Sequence, residues 1–236
     1  MPVISYGCGR KHYGSAWHLL RFLGYHREHL NERICSVTGH NAVRWLDFGF
    51  SGNGTDSELT GADFLSGGNS QEEEAMAAWK DAWPHTGTQH HWDAVGRSVA
   101  RNGTPEWVLV EAKANVEEMN SACGAVSPES LKMIASAMEL TAGSLGVTDT
   151  EAWMNGYYQF ANRLVFLDFL LRHSVKAGLV YIYFCGDRRA DRVFCPLSEK
   201  DWRPAIARQY TRMGLNGTNR GIMAGVHDVF LHVDRR

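Results

Sequence analysis

Residues 91–115, HWDAVGRSVARNGTPEWVLVEAKAN, constrain the chain more than any other stretch. They read as two strands around a tight loop. Trp92–Val99 alternates loosely, and Glu106–Ala114 is rich in Val, Leu and Trp, as a buried strand requires. Asn102-Gly103 marks the turn. Asp93, Glu111 and Lys113 are charges set among these apolar runs. Side chains alternate along a strand, so Glu111 and Lys113 share a face with Leu109 and Trp107. The place of Asp93 depends on register. A two-residue Asn102-Gly103 turn sets Asp93 opposite Ala112, on the wrong face. A three-residue loop, Arg101 to Gly103 with Gly103 left-handed, sets it opposite Glu111. The second register is expected, because it converges all three charges.

Two carboxylates and a lysine on one half-buried face are costly unless something compensates them. A divalent metal between Asp93 and Glu111, with Lys113 beside it, is one solution. An Asp–Lys or Glu–Lys ion pair at a strand end is the other. The E-x-K tripeptide follows a Trp-Val-Leu-Val run in a chain sparing with lysine, which favours the first.

A second cluster lies in YYQFANRLVFLDFLLRH, inside a helix predicted from Glu151 to about Ser174 and capped by Thr150. Its face is apolar except for Gln159, Asn162 and Arg163. These are spaced i, i+3, i+4 and so lie together. A polar patch on a buried helix must be satisfied, either by the hairpin charges or by a hydrogen-bond network to a neighbouring loop.

The remaining elements follow from caps and periodicity. A helix is predicted over residues 15–34, with Trp17, Leu20, Leu23, Leu30 and Ile34 inward and His18, Arg21, His26, Arg27, His29 and Arg33 on a solvated face. Val43–Phe50 reads as a strand with Leu46, Phe48 and Phe50 on one face and Asp47 outward. Ser51–Asn69 reads as a long loop. Ser70-Gln71-Glu72-Glu73 is a capping-box pattern opening a helix to Trp83. Of its first-turn acids, Glu73 is the one to watch. His85, His90 and His91 match no zinc spacing and read as an exposed loop, with His91 near enough to Asp93 to touch a substrate. Ser127-Pro128 starts a helix to Leu145, with Leu131, Ile134, Met138 and Leu145 inward. Leu179–Cys185 is a buried strand. Arg188, Arg189 and Arg192 follow in a solvated turn. Ser198 caps a helix to Met213, and Val226–Val233 is a last strand with Val229, Leu231 and Val233 on one face.

At 236 residues, 44% hydrophobic and 21% charged, the chain is expected to form one soluble domain, with a core over 43–185. The helix at 15–34 and the helix and strand at 199–233 embellish that core. Five scattered cysteines without a C-x-x-C pair point to free thiols and a cytoplasmic location. No apolar signal segment or membrane span is expected. The formal charge of −2 argues mildly against a dedicated nucleic-acid binder, although a local basic face would suffice.

Asp93 on one strand and Glu111-Ala112-Lys113 on the next resemble the active-site signature of the PD-(D/E)xK phosphodiesterase superfamily, which includes restriction endonucleases and repair nucleases. Trp92 stands where that pattern has proline. The resemblance covers the hairpin and, less sharply, its flanks from Val43 to Cys185. It implies an α/β, restriction-endonuclease-like core, with one mixed β-sheet flanked by helices. It implies a nuclease, a hydrolase of nucleic acid and first of DNA. Asp93, Glu111 and the Ala112 carbonyl would hold magnesium, with manganese as a substitute. Lys113 would assist the attacking water, and Gln159 would orient Lys113 or phosphate. Tyr158, Asn162, Arg163 and His91 would contact substrate. The alternative keeps the fold as a non-catalytic binding or assembly module, with Asp93, Glu111 and Lys113 as a structural ion-pair network. A weaker third reading is a metallohydrolase using His90 or His91 with Asp93.

Overall fold

The computed structural model describes residues 13–46, 59–85, 90–100, 103–189, 191, 193–218 and 221–234. Five strands form one mixed sheet. Strand β1 (His40–Trp45) pairs antiparallel with β4 (Ala94–Ala100), and β4 pairs antiparallel with β5 (Pro105–Lys113). Strands β6 (Ala177–Cys185) and β7 (Val226–His232) follow in parallel, giving the order β1-β4-β5-β6-β7. Two short strands, β2 (Leu59–Thr60) and β3 (His91–Trp92), pair separately beside the hairpin. The fold is therefore α/β, with one mixed sheet flanked by helices.

Strand alternation divides the core in two. Val108, Val110, Ala112, Val180, Ile182 and Phe184 face α1 (Ser15–Tyr25) and α2 (Arg27–Thr38), where Leu19, Phe22, Leu30 and Ile34 meet them. The opposite face carries Trp107, Leu109, Tyr181 and Tyr183. It packs against α3 (Ser70–Ala82), α4 (Pro128–Ser144), α5 (Glu151–Asn155), α6 (Tyr158–Arg172) and α7 (Glu199–Arg212). Helix α6 is buried without interruption from Phe160 to Leu170, because it runs between the sheet and the outer helices. Val229, Leu231 and Val233 share one buried face, as their alternation requires.

Several elements differ from expectation. The first helix breaks at His26 into α1 and α2, and the Arg27 Nε donates to the Leu23 carbonyl at the break. His18 is buried, not solvated, and pairs with Asp187 at 2.8 Å. The helix predicted from Glu151 breaks at Gly156. There the backbone takes other partners: Ser121 N donates to Gly156 O and Tyr158 N donates to Ser121 O. The capping box of α3 lies one residue earlier than the sequence pattern suggested, with Asn69 and Glu72 as its pair. Glu72 is the buried acid. It accepts from Trp107 Nε1 at 2.8 Å and from Arg97, whereas Glu73 stays at the surface and accepts from Gly67 N. The stretch expected as a long loop contains β2 and a 3-10 turn that buries Phe64 and Leu65. Strand β1 is shifted to His40–Trp45, and Asp47, Phe48 and Phe50 lie outside the described residues, as do Arg101, Asn102 and Arg192. Leu131 is exposed on α4, where Ile134 and Met138 form the inward stripe.

Candidate functional site

The hairpin has the register that brings its charges together. Val99 pairs with Pro105 and Ala94 with Val110, which is the second of the two registers considered above. Gly103 is left-handed at φ 86°, the conformation only glycine adopts freely. One step beyond Ala94 the same register puts Asp93 beside Glu111, and Asp93 Oδ2 accepts from Ala112 N at 2.7 Å. Asp93 itself sits at a bend between β3 and β4, not inside a continuous strand.

Glu111 is 1% exposed and Lys113 7% exposed, so the expected half-buried face is a buried one. Both project toward α6. Lys113 Nζ donates to Glu111 Oε1 and to Gln159 Oε1, each at 2.5 Å. The other Glu111 oxygen, Oε2, receives Arg163 Nε at 2.9 Å and lies 2.8 Å from Arg163 Nη2. Arg163, 2% exposed, also donates from Nη1 to Asn162 Oδ1 at 2.8 Å and from Nη2 to the His91 carbonyl at 2.5 Å. Its guanidinium lies 4.6 Å from the centre of the Trp92 ring. Gln159 and Arg163 of the helical patch are thus satisfied by the hairpin, and Asn162 Oδ1 by Arg163. Tyr158 is half-buried. Its hydroxyl is held above its ordinary range by burial first and then by Cys123.

Two acids and two bases balance in this cluster, but unequally. Burial raises the Glu111 carboxyl, and the adjacent Lys113 and Arg163 charges outweigh it and hold the group below the usual carboxylate range. Among the described residues Asp93 has no such ion pair. Burial first, then the charge of Glu111, push it up to about 7.

A metal bridging Asp93 and Glu111 requires free carboxylate oxygens on both. Here both Glu111 oxygens are taken by cations, and one Asp93 oxygen is taken by the Ala112 amide. Among the described residues, no group of three or more His, Cys, Asp or Glu side chains is placed to hold a metal ion. In this arrangement the residues do not fit magnesium or manganese.

His90 departs from the exposed loop expected of it. It is buried among Trp79, Trp83, Trp92 and Phe166, with ring centroids 5.2–6.3 Å away and both ring nitrogens unpartnered. Burial first, then Arg163 and His91, hold it well below the ordinary histidine range, so it is neutral. Its nitrogens face aromatic rings, not a carboxylate. His91 is exposed in β3 and its backbone carbonyl accepts from Arg163, and His85 is exposed elsewhere. Sequence reasoning missed Asp168, buried in α6 and bonded to Thr141 and Arg172. Its i, i+4 spacing to Arg172 was the available signal.

No family model, no curated protein and no solved structure matches the chain. The resemblance to the PD-(D/E)xK group therefore rests on Asp93, Glu111-Ala112-Lys113 and the hairpin that carries them. Among the described residues no helix is long and apolar enough to cross a membrane, and Cys35, Cys123, Cys185 and Cys195 are free thiols.

Proposed function

We propose that the chain is a non-catalytic binding or assembly module built on a restriction-endonuclease-like core, in which Glu111 and Lys113 belong to a structural ion-pair network with Arg163, and Asp93 adjoins it. One observation carries this reading. Glu111 is buried with Lys113 on one oxygen and Arg163 on the other, so its charge is spent inside the protein. A buried carboxylate so paired is costly to open, because each partner would be left charged and unsolvated. The network joins β5, α6 and the start of the hairpin, which gives it a mechanical role. The core assignment is favoured by the order of elements: an antiparallel hairpin, intervening helices, then a parallel strand beside β5.

A second reading, a nuclease acting on DNA, is favoured by a different observation. Asp93 faces Glu111 without an ion pair among the described residues, and its carboxyl is raised to about 7. A cation arriving there would relieve that repulsion. It would first have to draw Glu111 away from Arg163.

Calorimetric titration with magnesium and manganese separates the two, run on the protein and on its Asp93→Asn variant. The module reading predicts no saturable heat in either. Saturable binding to the parent that is lost in Asp93→Asn would overturn it in favour of the nuclease, and a screen for DNA cleavage would follow.

A further inference from the structure

A small set of polar groups, Gln159, Tyr181 and Gln209, shares a cavity with Lys113. Glu111 and Tyr181 are neighbours across the parallel β5–β6 pair, as are Lys113 and Tyr183. Tyr181 stacks on Phe160 of α6 with centroids 4.8 Å apart, and Gln209 comes from the buried face of α7. Lys113, Gln159, Tyr181 and Gln209 line a cavity of about 10 Å³ at this junction of β5, β6, α6 and α7.

Two atoms here, Tyr181 Oη and Gln209 Oε1, are buried without a hydrogen-bond partner among the described residues. Both side chains are 2% exposed. Buried polar atoms are nearly always bonded, because an orphan keeps the full cost of losing its water. Burial, and then the charge of Glu111, hold the Tyr181 phenol well above its ordinary range, so it remains a hydroxyl. An ammonium carries three N–H donors. Glu111 and Gln159 take two of those on Lys113, and the third has no partner among the described residues.

We infer that this cavity is a binding site for a single water molecule, held by Lys113 Nζ, Tyr181 Oη and Gln209 Oε1. The volume is at the scale one water needs, roughly 10–15 Å³, and the three groups meet the requirement for two to four polar partners. The water accepts from Lys113 and from the Tyr181 hydroxyl, and it donates to Gln209 Oε1. A cation is excluded by the ammonium, and the space is too small for an organic ligand. Through this water, Tyr181 and Gln209 act as positioning residues that keep the Lys113 ammonium turned inward. The site extends the network to β6 and α7, and it stands whether or not Glu111 ever releases Arg163.

The test is an atomic-resolution crystal structure of the full chain, with proton-exchange measurements on the Lys113 ammonium by NMR. The expected result is a discrete peak within hydrogen-bond distance of all three atoms, and a slowly exchanging ammonium. Tyr181→Phe keeps the ring and removes the hydroxyl; it should lose the peak and speed the ammonium exchange. Should that variant fail to fold, the parent crystal and a water–ammonium NOE decide the question alone. An empty cavity, Tyr181 Oη bonded directly to Gln209, or a Tyr181→Phe protein with peak and exchange unchanged would each overturn the inference.

Discussion

Asp93 and Glu111 lie side by side, yet their environments push them in opposite directions. Glu111 has two cations and stays ionised, whereas Asp93 is raised to about 7 by burial and by Glu111 itself. The linkage to stability has a definite sign. In the unfolded chain Asp93 loses its proton near pH 4, while in the folded protein it keeps it until about pH 7. Its contribution is therefore full below pH 4 and is lost as pH rises through 7. The Asp93→Asn variant keeps an acceptor for the Ala112 amide and removes that loss. It should match the parent at pH 4 and exceed it at pH 8 by roughly 1–4 kcal/mol in urea unfolding. Equal stability at pH 8 would show that Asp93 ionises freely in the fold.

At the scale of elements, the pieces that were legible in the sequence are those set by local chemistry. Gly103 and the alternation through Glu111 and Lys113 fixed the hairpin register and the face its charges share. Ser127 caps α4 as expected, its hydroxyl accepting from Ser130 N. What was not legible depends on residues far away in the chain. The spacing of Gln159, Asn162 and Arg163 announced a patch needing partners, but nothing local said that Arg163 takes the Glu111 carboxylate, 52 positions earlier. His90 sits in a polar, turn-like stretch, and only the arrival of α3 and α6 encloses it in aromatic rings. The break at Gly156 is likewise made by Ser121. The cap of α3 gives a local check. Asn69 Oδ1 accepts from Glu72 N at 3.0 Å, and the Glu72 carboxylate accepts from Asn69 N as well as from Trp107 and Arg97. Asn69→Ala should cost about 1 kcal/mol by thermal or urea unfolding. A loss well beyond about 2 kcal/mol would mean that the cap also holds the Glu72 contacts in place.

Across the whole molecule, the sheet is apolar on the face that meets α1 and α2. On the other face, a charged network is set between β5 and a helix buried on all sides. That network links β3, β5 and α6 through one guanidinium, which contacts Glu111, Asn162, the His91 carbonyl and the Trp92 ring. We conclude that this arrangement holds the fold together. Urea unfolding of Arg163→Met tests it most directly, because methionine fills similar space and leaves Glu111 with Lys113 alone. Removing one member of a buried ion pair typically costs about 3–5 kcal/mol, and a loss of that size is the predicted result. An Arg163→Met protein as stable as the parent, or more stable, would contradict the claim and mark Arg163 as a residue kept for a ligand.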